Sequence, residues 1–357
     1  MRDRNAFPYS TISREQRWDA AVSAVGLEAV DPQGAARFRF NAKTSIASAG
    51  SCFATRVAEA LRKLGFNYYV AEPGPPGLSA EMRSAYGYAP LSARYGNIYT
   101  TLQLLQLLER ANGTFVPKAV AWEAEGGVVD PFRPRIQARP FVDVAELQRD
   151  RARHLEAVRR MFAEIEVFVF TLGLTEVWCD RIDGAAFPVC PGRGFGSFDA
   201  ERYVWRNLDV AENCECLERF LAGLARLNPA AKVLLSVSPV PNAATLEPMH
   251  VVRASAYCKA VLRVTAETIA RKHPNVDYFA SYESVALAPG PEFSLEPDGR
   301  TVTPAAVDRV MTMLLRHYFD DDFGRLMSAL AAEPASETTD PLCDGMEVLA
   351  NIEADFR

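Results

Sequence analysis

Five short runs constrain this chain most: 44–49 (TSIASA), 66–70 (FNYYV), 165–171 (IEVFVFT), 232–238 (KVLLSVS) and 276–280 (VDYFA). They are near-continuous in apolar and β-branched residues instead of alternating apolar with polar. A strand with one wet face alternates, whereas a strand covered on both faces does not. Between the runs, apolar residues recur every three or four positions, which predicts helices at 52–64, 100–111, 144–162, 211–227, 252–272 and 304–318. Buried strands alternating with helices imply an α/β fold, a three-layer α/β/α sandwich with a central parallel sheet of about five strands. No internal repeat interrupts this pattern.

In such sheets ligands bind beyond the carboxyl ends of the strands. Those loops are long and polar: 94–101 (RYGNIYTT), 172–180 (LGLTEVWCD), 184–199, 239–250 and 281–307. The first is the shortest. At Gly50-Ser51-Cys52 the period switches from strand to helix with almost no connection. The positive end of a helix lowers a cysteine's pKa, and the free N–H groups there can hold a developing oxyanion. Cys52 therefore reads as a nucleophile, with Ser51 as the alternative. The plainer readings are a helix N-cap for Ser51 and a small buried apolar residue for Cys52.

The net charge of −6 argues against a nucleic-acid partner, which would need clustered basic residues. No stretch approaches the roughly eighteen apolar residues of a membrane span. The opening residues lack the apolar core of a secretion signal, so a cytoplasmic setting is expected. The seven cysteines form no regular framework. Cys214 and Cys216 make a C-x-C without a second pair or a neighbouring histidine, so neither a metal nor any other cofactor is expected.

The motifs ASAGSCFA, YGNIYT, FTLGLTEVW, FPVCPG and HVVRASAYCKAVLR, in this order, resemble the GSCFA-domain family. That family is similar to the SGNH/GDSL esterases and acyltransferases, and the likeness spans about Tyr9 to Val310. It implies a flavodoxin-like strand order in one domain over 1–325. That domain would carry an N-terminal extension (1–42) and insertions at about 112–160 and 178–210. An acidic C-terminal tail (326–357) would pack on the surface. The resemblance places Cys52 on the superfamily's nucleophile position. It aligns Gly96, with Asn97, on the second block, and Thr175 on the asparagine of the third, so these three become oxyanion-hole candidates. The final Asp-x-x-His block falls on Asp298-Gly299-Arg300-Thr301, where the histidine is missing.

Four histidines remain: His154, His250, His273 and His317. Only His250 follows a strand's carboxyl end in a loop, so it is the expected base, with Glu176 or Asp298 to orient it. Lys259 and Arg263, one helical turn apart, are candidates for a substrate carboxylate or phosphate, or for an acidic side chain of the protein. Trp178 is a candidate sugar platform or core residue, and the glycine-rich 191–198 a flexible lid. The expected function is acyl transfer: hydrolysis of an acyl ester, or transfer to a sugar hydroxyl in polysaccharide modification, with a small molecule or glycan as substrate and a thioester as a possible donor. The rival is a catalytically degenerate module that binds a glycan or acyl group. Thiol reactivity separates the two, since an ordinary thiol titrates near pH ~8.5.

Overall fold

The structure is a computed structural model that describes residues 7–88, 91–192, 194–288 and 290–320, without the side chains of Pro8 and Cys52. The expected tail at 326–357 lies outside the described residues. The first half of the chain holds β1 (Ile46–Ala49), α1 (Cys52–Lys63), α2 (Ala80–Ala85) and α3 (Thr101–Ala111). It continues with β2 (Trp122–Ala124), β3 (Gly127–Val129), α4 (Val144–Glu164) and β4 (Val167–Leu172). The second half adds β5 (Glu176–Asp180), β6 (Ala186–Phe187), β7 (Tyr203–Asn207) and α5 (Val210–Leu227). It ends with β8 (Lys232–Val237), α6 (Val251–Lys272), β9 (Val276–Phe279) and α7 (Pro304–Tyr318).

The central sheet is parallel throughout, in the order β1-β4-β8-β9. All six residues of β4 are buried, as its unbroken apolar run requires. Phe168 and Phe170 stack in parallel on one face at 6.5 Å, and Phe168 meets Phe162 of α4 and Phe220 of α5. Helix α1 packs on β1 and β4 and touches α7, while α3, α4, α5 and α6 pack against one another. The sandwich therefore has three layers.

The expected fifth strand is a correction. Residues 66–70 lie beside β1, but pairing is confined to one bridge, Ile46 with Tyr68. Asn67 carbonyl accepts from the Ile46 N–H and Tyr69 N–H donates back to Ile46. The Asn67 amide group then turns away to bond the Lys43 carbonyl, and the chain leaves the edge. The central sheet thus has four strands, with this bridged stretch outside β1.

A second sheet went unread in the sequence. Strands β6, β5 and β7 form an antiparallel trio, in the order β6-β5-β7, between β4 and α5. It buries Phe187 and Tyr203 with Trp122 in a separate small core. The glycine-rich stretch is tied down at Gly196, whose N–H donates to the Glu123 carbonyl and where a Cβ would come within 3.0 Å of the Trp122 ring. Among the described residues no helix is long and apolar enough to cross a membrane.

Candidate active site

The four buried residues of β1 deliver the chain into the turn. Gly50 sits at φ +153°, where a Cβ would lie 2.8 Å from the Thr171 carbonyl oxygen and 2.9 Å from Ala54 Cβ. Only glycine lets the turn pass so close to β4. Ser51 follows in extended conformation at the N-cap, and α1 opens at Cys52. The Ser51 hydroxyl makes no capping bond, although serine at this position usually accepts one. It is buried, has no hydrogen-bond partner among the described residues, and lines a cavity of about 370 Å³.

That cavity lies beyond the carboxyl ends of β1, β4 and β8. Gly173 and Leu174 close it beneath; Ser238, Asn242 and Leu246 form the side after β8. Trp178 and Trp205 of the small sheet form a further wall. The Trp178 ring is braced edge-on by Phe198 at 5.5 Å. Glu176 ties these walls together. It accepts from Trp205 Nε1 (3.2 Å), Asn242 Nδ2 (3.2 Å), Thr245 Oγ1 (2.7 Å) and the Leu246 N–H (3.4 Å). With so many donors engaged, its carboxylate is a staple between β5 and the loop after β8.

The loop at 95–100 is stitched to the same turn. Ile98 N–H donates to the Gly50 carbonyl at 2.9 Å, and the Tyr95 hydroxyl donates to the Ser48 carbonyl. The Tyr99 carbonyl accepts from both Gly173 and Leu174 N–H groups, so these donors are already committed. Gly96 takes a left-handed φ of +68°, and the adjacent Asn97 is buried. Behind the loop lies a buried ion network. Arg94 and Arg133 both bond Asp150, and Arg133 and Arg151 both bond Asp130. Burial alone would raise the Asp130 carboxyl, but Arg133 and Arg151 outweigh it and hold the group far below the usual carboxylate range.

A model of the GSCFA family matches residues 45–313, three quarters of the chain. The chain belongs to the GSCFA family. No curated protein matches it. The GSCFA segment takes in the Ser51 turn, the 95–100 loop, the small sheet and the loops after β8 and β9, so every wall of the cavity is family structure.

Several GSCFA residues singled out in the sequence stand apart from the cavity. His250 is exposed at the N-cap of α6, its Nδ1 accepting from the Val252 N–H at 3.3 Å. His154, His273 and His317 pair with Glu72, Glu218 and Asp31 respectively. Among the described residues no histidine lines the cavity. Asp298 accepts from the Arg300 and Thr301 N–H groups and from Thr301 Oγ1. The Thr301 hydroxyl is the main cause that holds this carboxyl below its ordinary range. No described contact joins either Glu176 or Asp298 to His250. Thr175 is fully buried behind the cavity wall and its hydroxyl has no partner there. Arg263 pairs with Glu267 and Glu283, whereas the buried Lys259 donates from Nζ to the Gly173 carbonyl at 2.8 Å. The Cys52 side chain lies outside the described residues.

Among the wall residues that the sequence reading does not single out are Trp205, Asn242 and Arg300. The Arg300 guanidinium donates to the Pro241 carbonyl and lines the cavity, one residue before the position searched for a histidine. The aromatic spacing of YVWRN was the available signal for Trp205.

Proposed function

We propose that the cavity binds an acyl ester and transfers its acyl group, in the manner of the SGNH/GDSL enzymes that the GSCFA motifs resemble. The observation that carries this reading is Ser51: it lines the cavity at a helix N-terminus, and its buried hydroxyl has no partner among the described residues. A serine spared from capping is spared for chemistry. In this reading Ser51 Oγ attacks the carbonyl carbon and loses its proton to a base. The oxyanion is held by α1's free N–H groups and Asn97. Collapse expels the alcohol or thiol, and water or a sugar hydroxyl then takes the acyl group. Cys52, at the next position, is the alternative nucleophile. His250 is the base and must give up its cap on Val252 to act. Trp178 and Trp205 suit a sugar ring or an acyl chain, so the substrate class is an esterified carbohydrate or a small acyl ester. No cofactor enters, and the setting is cytoplasmic.

A second reading, a degenerate module that holds a glycan or acyl ligand, is favoured by Thr301 and by the exposed His250, which is not among the residues lining the cavity. Intact-mass measurement after exposure to activated acyl esters and thioesters separates them. Wild type and Cys52→Ala should gain one acyl mass, and Ser51→Ala should gain none. The reverse pattern assigns the nucleophile to Cys52. No adduct on any variant, with glycan binding retained, supports the binding module.

A further inference from the structure

Behind the 95–100 loop is a second cavity of about 10 Å³, lined among others by Tyr95, Gln106, Arg110, Phe132, Arg133 and His154. It has room for a single small species, a water or one monoatomic ion. Two side chains present polar atoms to it without partners: Arg110 through Nε and Nη2, and His154 through Nε2. Both residues are more than nine-tenths buried. A buried cation is costly unless it is paired. Four guanidinium groups (Arg94, Arg110, Arg133, Arg151) crowd three carboxylates (Glu72, Asp130, Asp150), and every carboxylate is bonded by others. Arg110 hydrogen-bonds none of them. The Phe132 ring face under its guanidinium at 3.7 Å offsets part of that cost.

We propose that this cavity binds one monoatomic anion of halide size between the Arg110 guanidinium and the His154 ring, taken up with a proton on His154 Nε2. The proton follows from the tautomer. His154 Nδ1 lies 2.7 Å from a Glu72 oxygen, and the carboxylate accepts there. A neutral ring then turns its Nε2 lone pair to the cavity, which repels an anion. The charged groups facing the ring are Glu72, Arg133 and Arg110, with the Tyr95 ring at its edge. Burial first, then Arg133, keep the imidazole below its usual range, and an added anion reverses that balance. Gln103 lines both this cavity and the large one, so the anion would sit directly behind the candidate active site.

The test uses the full chain, with sodium bromide compared against sodium gluconate at equal ionic strength. Saturating bromide should raise Tm by about 2–4 °C. The rise should be larger at pH ~6 than at pH ~8, because the bound proton is then easier to supply. Arg110→Met should abolish the difference between the salts. If that variant fails to fold, bromide-soaked crystals of the wild type decide by one anomalous peak in the cavity. Equal Tm in both salts, a bromide shift that survives Arg110→Met, the absence of the peak, or a pH-independent shift would overturn the proposal. The cavity would then belong to a water that accepts from Arg110 and donates to a neutral His154.

Discussion

At Gly50 the geometry leaves no room for a methyl group. Alanine there would press on the Thr171 carbonyl and adopt a φ that L-residues avoid. Gly50→Ala should cost about 2–4 kcal/mol, since β4 backbone must shift to relieve the contact. Urea unfolding checks this, and a loss under about 0.5 kcal/mol would show that the turn relaxes freely. The same turn shows what is legible at the level of residues. Gly50 and Ser51 could be read from the period switch alone. The missing cap on Ser51 could not, because serine at an N-cap looks identical in sequence whether or not its hydroxyl bonds the helix. Arg300 is not legible as a wall residue, because in sequence it is only the residue before Thr301 in a block whose histidine is missing.

Among the elements, β4 is the keel. Phe168 is wholly buried between Phe162 and Phe220, on helices separated in the chain by β4 and the small sheet. Truncating it removes ring contacts that α4 and α5 make with the sheet. Phe168→Ala should lose about 3–5 kcal/mol, with no direct effect on the cavity. A denaturation midpoint near wild type would contradict that placement. The central strands and six large helices were readable because buried strands and amphipathic helices leave opposite periodicities. Residues 66–70 have the β-branched and aromatic look of a strand, yet strand propensity records side-chain fit and not pairing length. The trio β5, β6 and β7 was missed for the converse reason. Its strands are short and mix Glu, Arg and Asn with tryptophan, so the alternation barely rises above loop composition.

Across the whole molecule, acid should act through the buried pair behind the 95–100 loop. Burial raises the Glu72 carboxyl, but His154 and the Arg94 N–H overcome this and hold it at about 2, against 4.5 in an exposed chain. Its contribution is therefore complete above pH ~4.5 and disappears as pH falls towards ~2. On the order of 3 kcal/mol is at stake. His154, kept below its ordinary value by burial, adds a loss of the same sign once pH falls below its unfolded value of 6.5. Unfolding free energy measured from pH ~7 to ~2 should drop steeply for wild type and less so for Glu72→Gln. Equal slopes would remove Glu72 from this role.

The small sheet has a consequence for how such a protein can change over generations. Strands β5 to β7 come from one uninterrupted stretch between β4 and α5, and with Trp122 and Phe132 they share a core apart from the main one. The half-buried Trp178 and Trp205 can thus be exchanged or reshaped while the strand that anchors the sandwich stays untouched. Selection can retune what the cavity admits with little penalty in folding, and descendants sharing the Ser51 turn should diverge first along this one wall.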